Sequence, residues 1–176
     1  MSEKEKFVNV VQGDFAISAQ PAVVLTTVLG SCVAVCLMDR TRGIGGMNHF
    51  LLPSGGSEGG SSMRYGTHAM ELLINGLLKQ GAERSRLEAK VFGGARMNDN
   101  LRDIGASNVA FAKDFLLAES IPILSESLLG SLARRIRFWP ANGRVRQLLV
   151  EGTRDLQPER PPVVPHAPDT SDIVLF

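Results

Sequence analysis

Seven uninterrupted apolar residues, Cys32 to Met38 (CVAVCLM), run into the turn Asp39-Arg-Thr-Arg-Gly43 and then a second apolar stretch, Ile44 to Leu52 (IGGMNHFLL). An unbroken run of this length reads as a strand buried on both faces, because a half-exposed strand would alternate with polar residues. The next stretch, closed by Pro53, reads as its neighbour. Lys6 to Val11, Ala22 to Val28, Leu87 to Phe92 and Ile121 to Leu124 are further short strand candidates. Thr67 to Gln80 keeps helical spacing through Ala69, Leu72, Leu73, Leu77 and Leu78 and stops at Gly81. Ala106 to Glu119 is a second helix, with Val109, Phe111, Ala112, Phe115 and Leu116 apolar. Arg135 to Phe138 and Arg144 to Val150 flank an Asn-Gly turn and read as a hairpin. The fold class is α+β, an α/β sandwich with a mostly antiparallel or mixed sheet and two main packed helices.

With 176 residues, 44% hydrophobic and 21% charged, the chain is long enough for one ordinary core. The expected organisation is one domain over residues 1–155. Residues 156–176 form a Pro-rich flexible tail (QPERPPVVPHAP). A net charge of +1 argues against nucleic acid as a partner. The charged N-terminus does not read as a signal peptide, so none is expected, and no apolar run reaches the roughly 20 residues of a membrane span. A cytoplasmic, reducing location without membrane insertion is expected, so the two cysteines should be thiols.

Cys32 and Cys36 are the only cysteines. On a strand they stand about 13 Å apart, well beyond the roughly 7 Å a disulfide spans. No Cys-x-x-Cys is present and His49, His68 and His166 are scattered, so no metal site is expected. The Gly/Ser-rich segment Ser54 to Ser62 lacks the pattern of a nucleotide loop, and no cofactor is expected.

A working thiol needs a proton acceptor and partial exposure. Pairing the two apolar runs about a turn centred near Arg40 and Thr41 sets Cys32 opposite His49. Thr26 or Thr27, on the preceding strand, offers a hydroxyl to hold the imidazole. The small residues Gly30 and Ser31 leave backbone N–H groups at Cys32 as an oxyanion hole. Cys36, mid-strand among apolar neighbours, reads as a structural thiol. His68 reads as a surface residue and His166 as an inert one in the tail.

The blocks TTVLGSCVAVCLMD, GIGGMNHFLLP, RYGTHAMELLINGLLKQGA, LEAKVFGGARM and IGASNV resemble, in collinear order over about residues 7 to 150, the CheD family of chemoreceptor glutamine deamidases. The resemblance implies hydrolysis of particular glutamine side chains on methyl-accepting chemotaxis receptors through a cysteine nucleophile and a thioester. It implies a Cys–His–Thr triad matched here by Cys32, His49 and Thr26, and a core like that of the cytotoxic necrotizing factor toxins. It also implies receptors as protein substrates and, for some members, a CheC-like phosphatase as partner. A substrate groove flanked by the 54–62 segment and by Arg64, Tyr65 and Gly66 is expected.

The chain departs from the family pattern before the last hairpin. If Arg134 matches the family arginine, Ser127, Leu129 and Ala133 replace an Asp and two glycines. That loop is expected to differ locally. It favours an alternative reading: a weakly catalytic or non-catalytic module that docks on receptors or on the phosphatase. A cysteine protease or transglutaminase-like enzyme is the third reading, without a visible acyl-acceptor site or peptide cleft.

Overall fold

The apolar run forms β4 (Val33–Asp39), and each of its seven residues is buried. The computed structural model, which describes residues 3–53, 60–97, 103–151 and 173–176, shows why. β4 lies in the middle of the middle layer. Its sheet has the order β2 (Phe15–Ser18), β5 (Ile44–Asn48), β4, β6 (Glu88–Gly93), β7 (Ile123–Leu128). A second sheet has the order β1 (Lys6–Asn9), β3 (Val23–Leu29), β8 (Ala133–Trp139), β9 (Arg144–Val150), β10 (Ile173–Leu175). The helices α1 (Gly60–Lys79) and α2 (Ile104–Ala118) pack on the middle sheet, α1 against β2 and β5 and α2 against β4 and β6. Each sheet is mixed: β1 and β3 pair in parallel, as do β6 and β7, and the other neighbours are antiparallel.

Two cores result, one on each side of β4. Val33, Val35 and Leu37 join Phe50, Leu73, Leu77 and Phe111 between sheet and helices. Ala34, Cys36 and Met38 join Leu25, Met47, Phe92 and Phe138 between the sheets. A fully buried Val, Leu or Phe contributes about 1.5–3 kcal/mol, so both faces of this strand hold the layers together.

Several sequence expectations need correction. The β4–β5 register pairs Cys36 with Met47, and the bridge Val33–Phe50 continues it. The hairpin is therefore centred between Thr41 and Arg42, so Ala34 rather than Cys32 stands opposite His49. Because side chains repeat every two residues, Cys32 and His49 still share a face, one step apart diagonally. α1 begins at Gly60 rather than Thr67 and takes in the end of the Gly/Ser segment; residues 54–59 lie outside the described residues. Two strands were not anticipated. β2 follows the turn at Gly13, and β10 pairs with β9 so that Phe176 packs edge-on against Phe92 at 5.2 Å. The last residues are thus part of a sheet and not of a free tail, while residues 152–172 lie outside the described residues.

The loop before the last hairpin turns through a left-handed residue. Leu129 has φ +66°, the left-handed conformation a glycine takes at least cost. The buried Arg134 guanidinium fills the loop, donating to the carbonyls of Ser127 and Leu129 and to Ser127 Oγ. The loop reaches β6 through Leu129 N–H to Gly93 O at 2.9 Å.

Candidate active site

One end of the sandwich gathers four chain segments: the end of β1, the end of β3, the turn before β4 and the residues just after β5. β3 supplies Thr27. Val23, Leu25 and Leu29 of this strand face the inter-sheet core, so alternation turns Thr27 inward as well. Its Oγ1 donates to Val10 O at 2.7 Å and lies 2.8 Å from His49 Nδ1. His49 Nδ1 is also 3.1 Å from Val10 O. A carbonyl oxygen only accepts, so Nδ1 carries the proton, and Nε2 is left as the basic nitrogen. Burial pulls the imidazole below its ordinary value, against a smaller upward pull from the Val10 carbonyl. The ring is therefore held neutral, in one tautomer and one orientation.

Thr26, the expected orienting residue, does not touch the imidazole. It faces the opposite side of β3, between Asn9 of β1 and Arg137 of β8. Its buried Oγ1 has no hydrogen-bond partner among the described residues. The contact belongs to Thr27 because of strand parity.

Cys32 lies at the mouth of β4 and is half-buried, whereas Cys36 is wholly buried. The Cys32 thiol donates to Gln12 Oε1 at 3.7 Å. Burial raises its pKa, and its own backbone N–H, aimed at the sulfur, pulls the other way. Both members of the thiol–imidazole pair are thus biased to their uncharged forms at rest. The turn leading to Cys32 is pinned from outside. Gly30 O accepts from Ala95 N at 2.9 Å, Ser31 O from Asn108 Nδ2 at 2.8 Å, and Cys32 O from Gly94 N at 2.8 Å. Among the described residues no oxygen accepts the N–H of Ser31 or Cys32, and the Cys32 N–H faces only its own sulfur. The small residues Gly30 and Ser31 leave these two N–H groups uncovered at the turn.

Asn108 and Gln12 went unrecognised in the sequence. The fully buried Asn108 also accepts from Leu52 N at 3.0 Å, so it ties the turn before Cys32 to the chain just beyond His49. It stands in the IGASNV block, but nothing local to that block shows what it bonds. Gln12 sits in the turn from Val11 to Asp14, whose only signature is the following Gly13.

The expected groove residues divide. Tyr65 is exposed on α1 and its hydroxyl packs near Gly13. Arg64 is exposed on the same helix. Gly66 is not a groove residue: it is buried against Phe111 and Leu52, and a Cβ there would come within 2.6 Å of the Phe111 ring. A cleft of about 190 Å³ opens over Thr27 and His49 and is also lined by Val10 and Gln12. It has room for about one side chain.

A half-buried thiol, an Nδ1-protonated imidazole braced by a hydroxyl, and unused backbone donors at one mouth of a two-sheet α/β sandwich define a thiol–imidazole protein with a surface cleft. Residues 51–148 match the model of the family described as CheD chemotactic sensory transduction. The chain is 58% identical over 174 residues to the probable chemoreceptor glutamine deamidase CheD of Caulobacter sp. (strain K31), covering 96% of this chain and 92% of that one. It is 49% identical over 180 residues to the protein of the same name from Agrobacterium fabrum, covering 100% of this chain and 99% of that one. The chain belongs to the CheD family. Among solved structures it is similar to the Bacillus licheniformis hypothetical protein YfiH, with TM-score 0.47 and 13% identity over 73% of this chain and 61% of that one. No helix among the described residues is long and apolar enough to cross a membrane.

Proposed function

We propose that the chain deamidates glutamine side chains on chemoreceptors, with Cys32 as nucleophile, His49 as general base and acid, and Thr27 as the residue that orients the imidazole. The observation that carries this reading is the pair of bonds on His49 Nδ1, which leave Nε2 basic on the face it shares with Cys32. His49 Nε2 takes the Cys32 proton as the sulfur attacks the carboxamide carbon. The resting pair is neutral, so proton transfer and attack belong to one step. The oxyanion is held by the N–H groups of Ser31 and Cys32, a donor of this kind contributing about 3–4 kcal/mol to the transition state. The tetrahedral intermediate expels ammonia, which takes the proton from His49, and a thioester remains. Water gives a proton to His49 and attacks the thioester carbonyl; glutamate leaves and the thiol is restored.

The relatives' names carry the substrate, a chemoreceptor glutamine. A receptor substrate places the protein at the cytoplasmic side of the membrane without inserting into it. A CheC-like phosphatase is the further partner this family reading brings, testable by co-purification. The deciding measurement is the intact mass of a cognate receptor signalling domain before and after incubation. Each converted glutamine adds the mass difference between an amide and an acid, and Cys32→Ala leaves the mass unchanged. A receptor converted equally by Cys32→Ala would overturn the reading.

A further inference from the structure

The sulfur of Cys32 touches one side chain that the chemistry above does not use. Gln12 occupies the second position of a turn closed by Asp14 N–H to Val11 O at 3.0 Å, with Gly13 next at φ +90°. That conformation is the third position of a type II turn and favours glycine. The turn is fastened to the histidine on both sides. Gly13 N–H donates to His49 O at 2.8 Å, and His49 N–H donates to Asp14 O at 3.1 Å. Val10, two residues before Gln12, supplies the carbonyl that receives both Thr27 and His49. The Gln12 carboxamide is thus carried by the same short segment that positions the imidazole, and it ends 3.7 Å from the reacting sulfur.

Resting on the reading of Cys32 as nucleophile, we infer that Gln12 is a catalytic residue that hydrogen-bonds the Cys32 sulfur in both of its protonation states. A carboxamide both accepts and donates. In the resting site Oε1 accepts the S–H. When the proton passes to His49, the amide turns about its last bond and Nε2–H donates to the thiolate, then to the oxyanion as sulfur bonds to carbon. No covalent bond of Gln12 forms or breaks. A carboxylate at the same place would accept from the thiol but could not donate to the thiolate, and its charge would oppose it. Gln12 is exposed at the tip of its turn, so its replacement leaves the core intact.

The test compares wild type, Gln12→Ala and Gln12→Glu. Alkylation of Cys32 by iodoacetamide is followed against pH by peptide mass spectrometry, alongside kcat and KM on a receptor signalling domain and the thermal midpoint. A hydrogen bond to a charged group predicts that Gln12→Ala lowers kcat by about 10- to 100-fold, with an unchanged midpoint and an alkylation curve moved to higher pH. Gln12→Glu moves the curve further the same way. Alkylation curves that coincide across the three proteins overturn the inference even if kcat falls. Conversion of Gln12 itself to glutamate in the wild-type chain, absent in Cys32→Ala, would show a substrate in place of a donor and also overturn it. Loss of activity in Cys32→Ala with normal activity in both Gln12 variants defeats this inference alone. Retained activity in Cys32→Ala defeats the reading beneath it.

Discussion

Cys32 and Cys36 point to the same side of the same extended segment, four residues apart, and live in different chemical worlds. Cys36 is paired in register with Met47 and Lys90 and is wholly buried in the inter-sheet core. Burial drives its thiol far above the ordinary range, and the Lys90 charge offsets only part of that. Cys32 precedes the ladder, is half-buried, and meets the Gln12 amide side chain. The thiol group is the same in both. What differs is where the sheet stops covering it, since a thiolate needs solvent or donors to exist.

The sharpest way to break this comparison is to exchange the roles. Cys32→Ala is expected to abolish turnover. Cys36→Ala is expected to keep it and to lower stability by about 1 kcal/mol, the order of a small buried group removed. Alkylation of the folded protein should mark Cys32 and leave Cys36 untouched until denaturant is added. An inactive Cys36→Ala with wild-type stability would mean that the wrong thiol has been assigned.

The neighbouring threonines give the next largest contrast, with opposite signs. Thr27→Val removes one of the two acceptors at the His49 Nδ1 proton and a donor to Val10, so a loss in kcat of about tenfold or more is expected, together with reduced stability. Thr26→Val replaces a buried hydroxyl that has no partner among the described residues by a methyl. It should leave kcat unchanged and the midpoint equal or higher. Equal effects of the two variants on kcat would remove Thr27 from the site.

The pH profile follows. Because burial lowers the His49 pKa, the acid limb of kcat/KM should fall below 6.5, the ordinary imidazole value. The same shift has a sign for stability. Below pH 6.5 the unfolded chain binds a proton that the folded chain refuses, so this contribution is complete above 6.5 and declines as the pH falls toward the folded value. A limb above 6.5 would contradict a buried, neutral His49. The smallest effect is expected at Leu129→Gly. Relief of a left-handed conformation worth about 1–2 kcal/mol is offset by about 1 kcal/mol of extra chain entropy in the unfolded state, so calorimetry should show a change under about 1 kcal/mol.

Much of this molecule could be read from residues alone. The unbroken apolar run announced a strand with cover on both faces, and the two helices and the last hairpin followed from spacing. The segment LGSC before that run placed one thiol at its mouth, and MNHF placed one histidine beyond the partner strand. These are local signals: period, length and turn residues. Arg134 illustrates the limit. The family resemblance led one to expect an altered loop before it, yet nothing in the sequence told that Leu129 would adopt the left-handed conformation with the guanidinium packed beneath it.

The residues around the thiol depended on register and on contacts between distant segments. Thr26 and Thr27 are chemically identical, and parity on β3 selects between them only once the inward face is known. A two-residue error in the hairpin register left Cys32 and His49 on a common face, because the strand period is two. Gln12, Val10 and Asn108 come from a turn between β1 and β2, the end of β1 and a helix on the far side of the middle sheet. No spacing rule joins them to Cys32. The local pattern therefore determined which elements form and where a reactive thiol could stand. The stacking of three layers decided which side chains meet it, because those contacts exist only when segments far apart in the chain are brought to one edge.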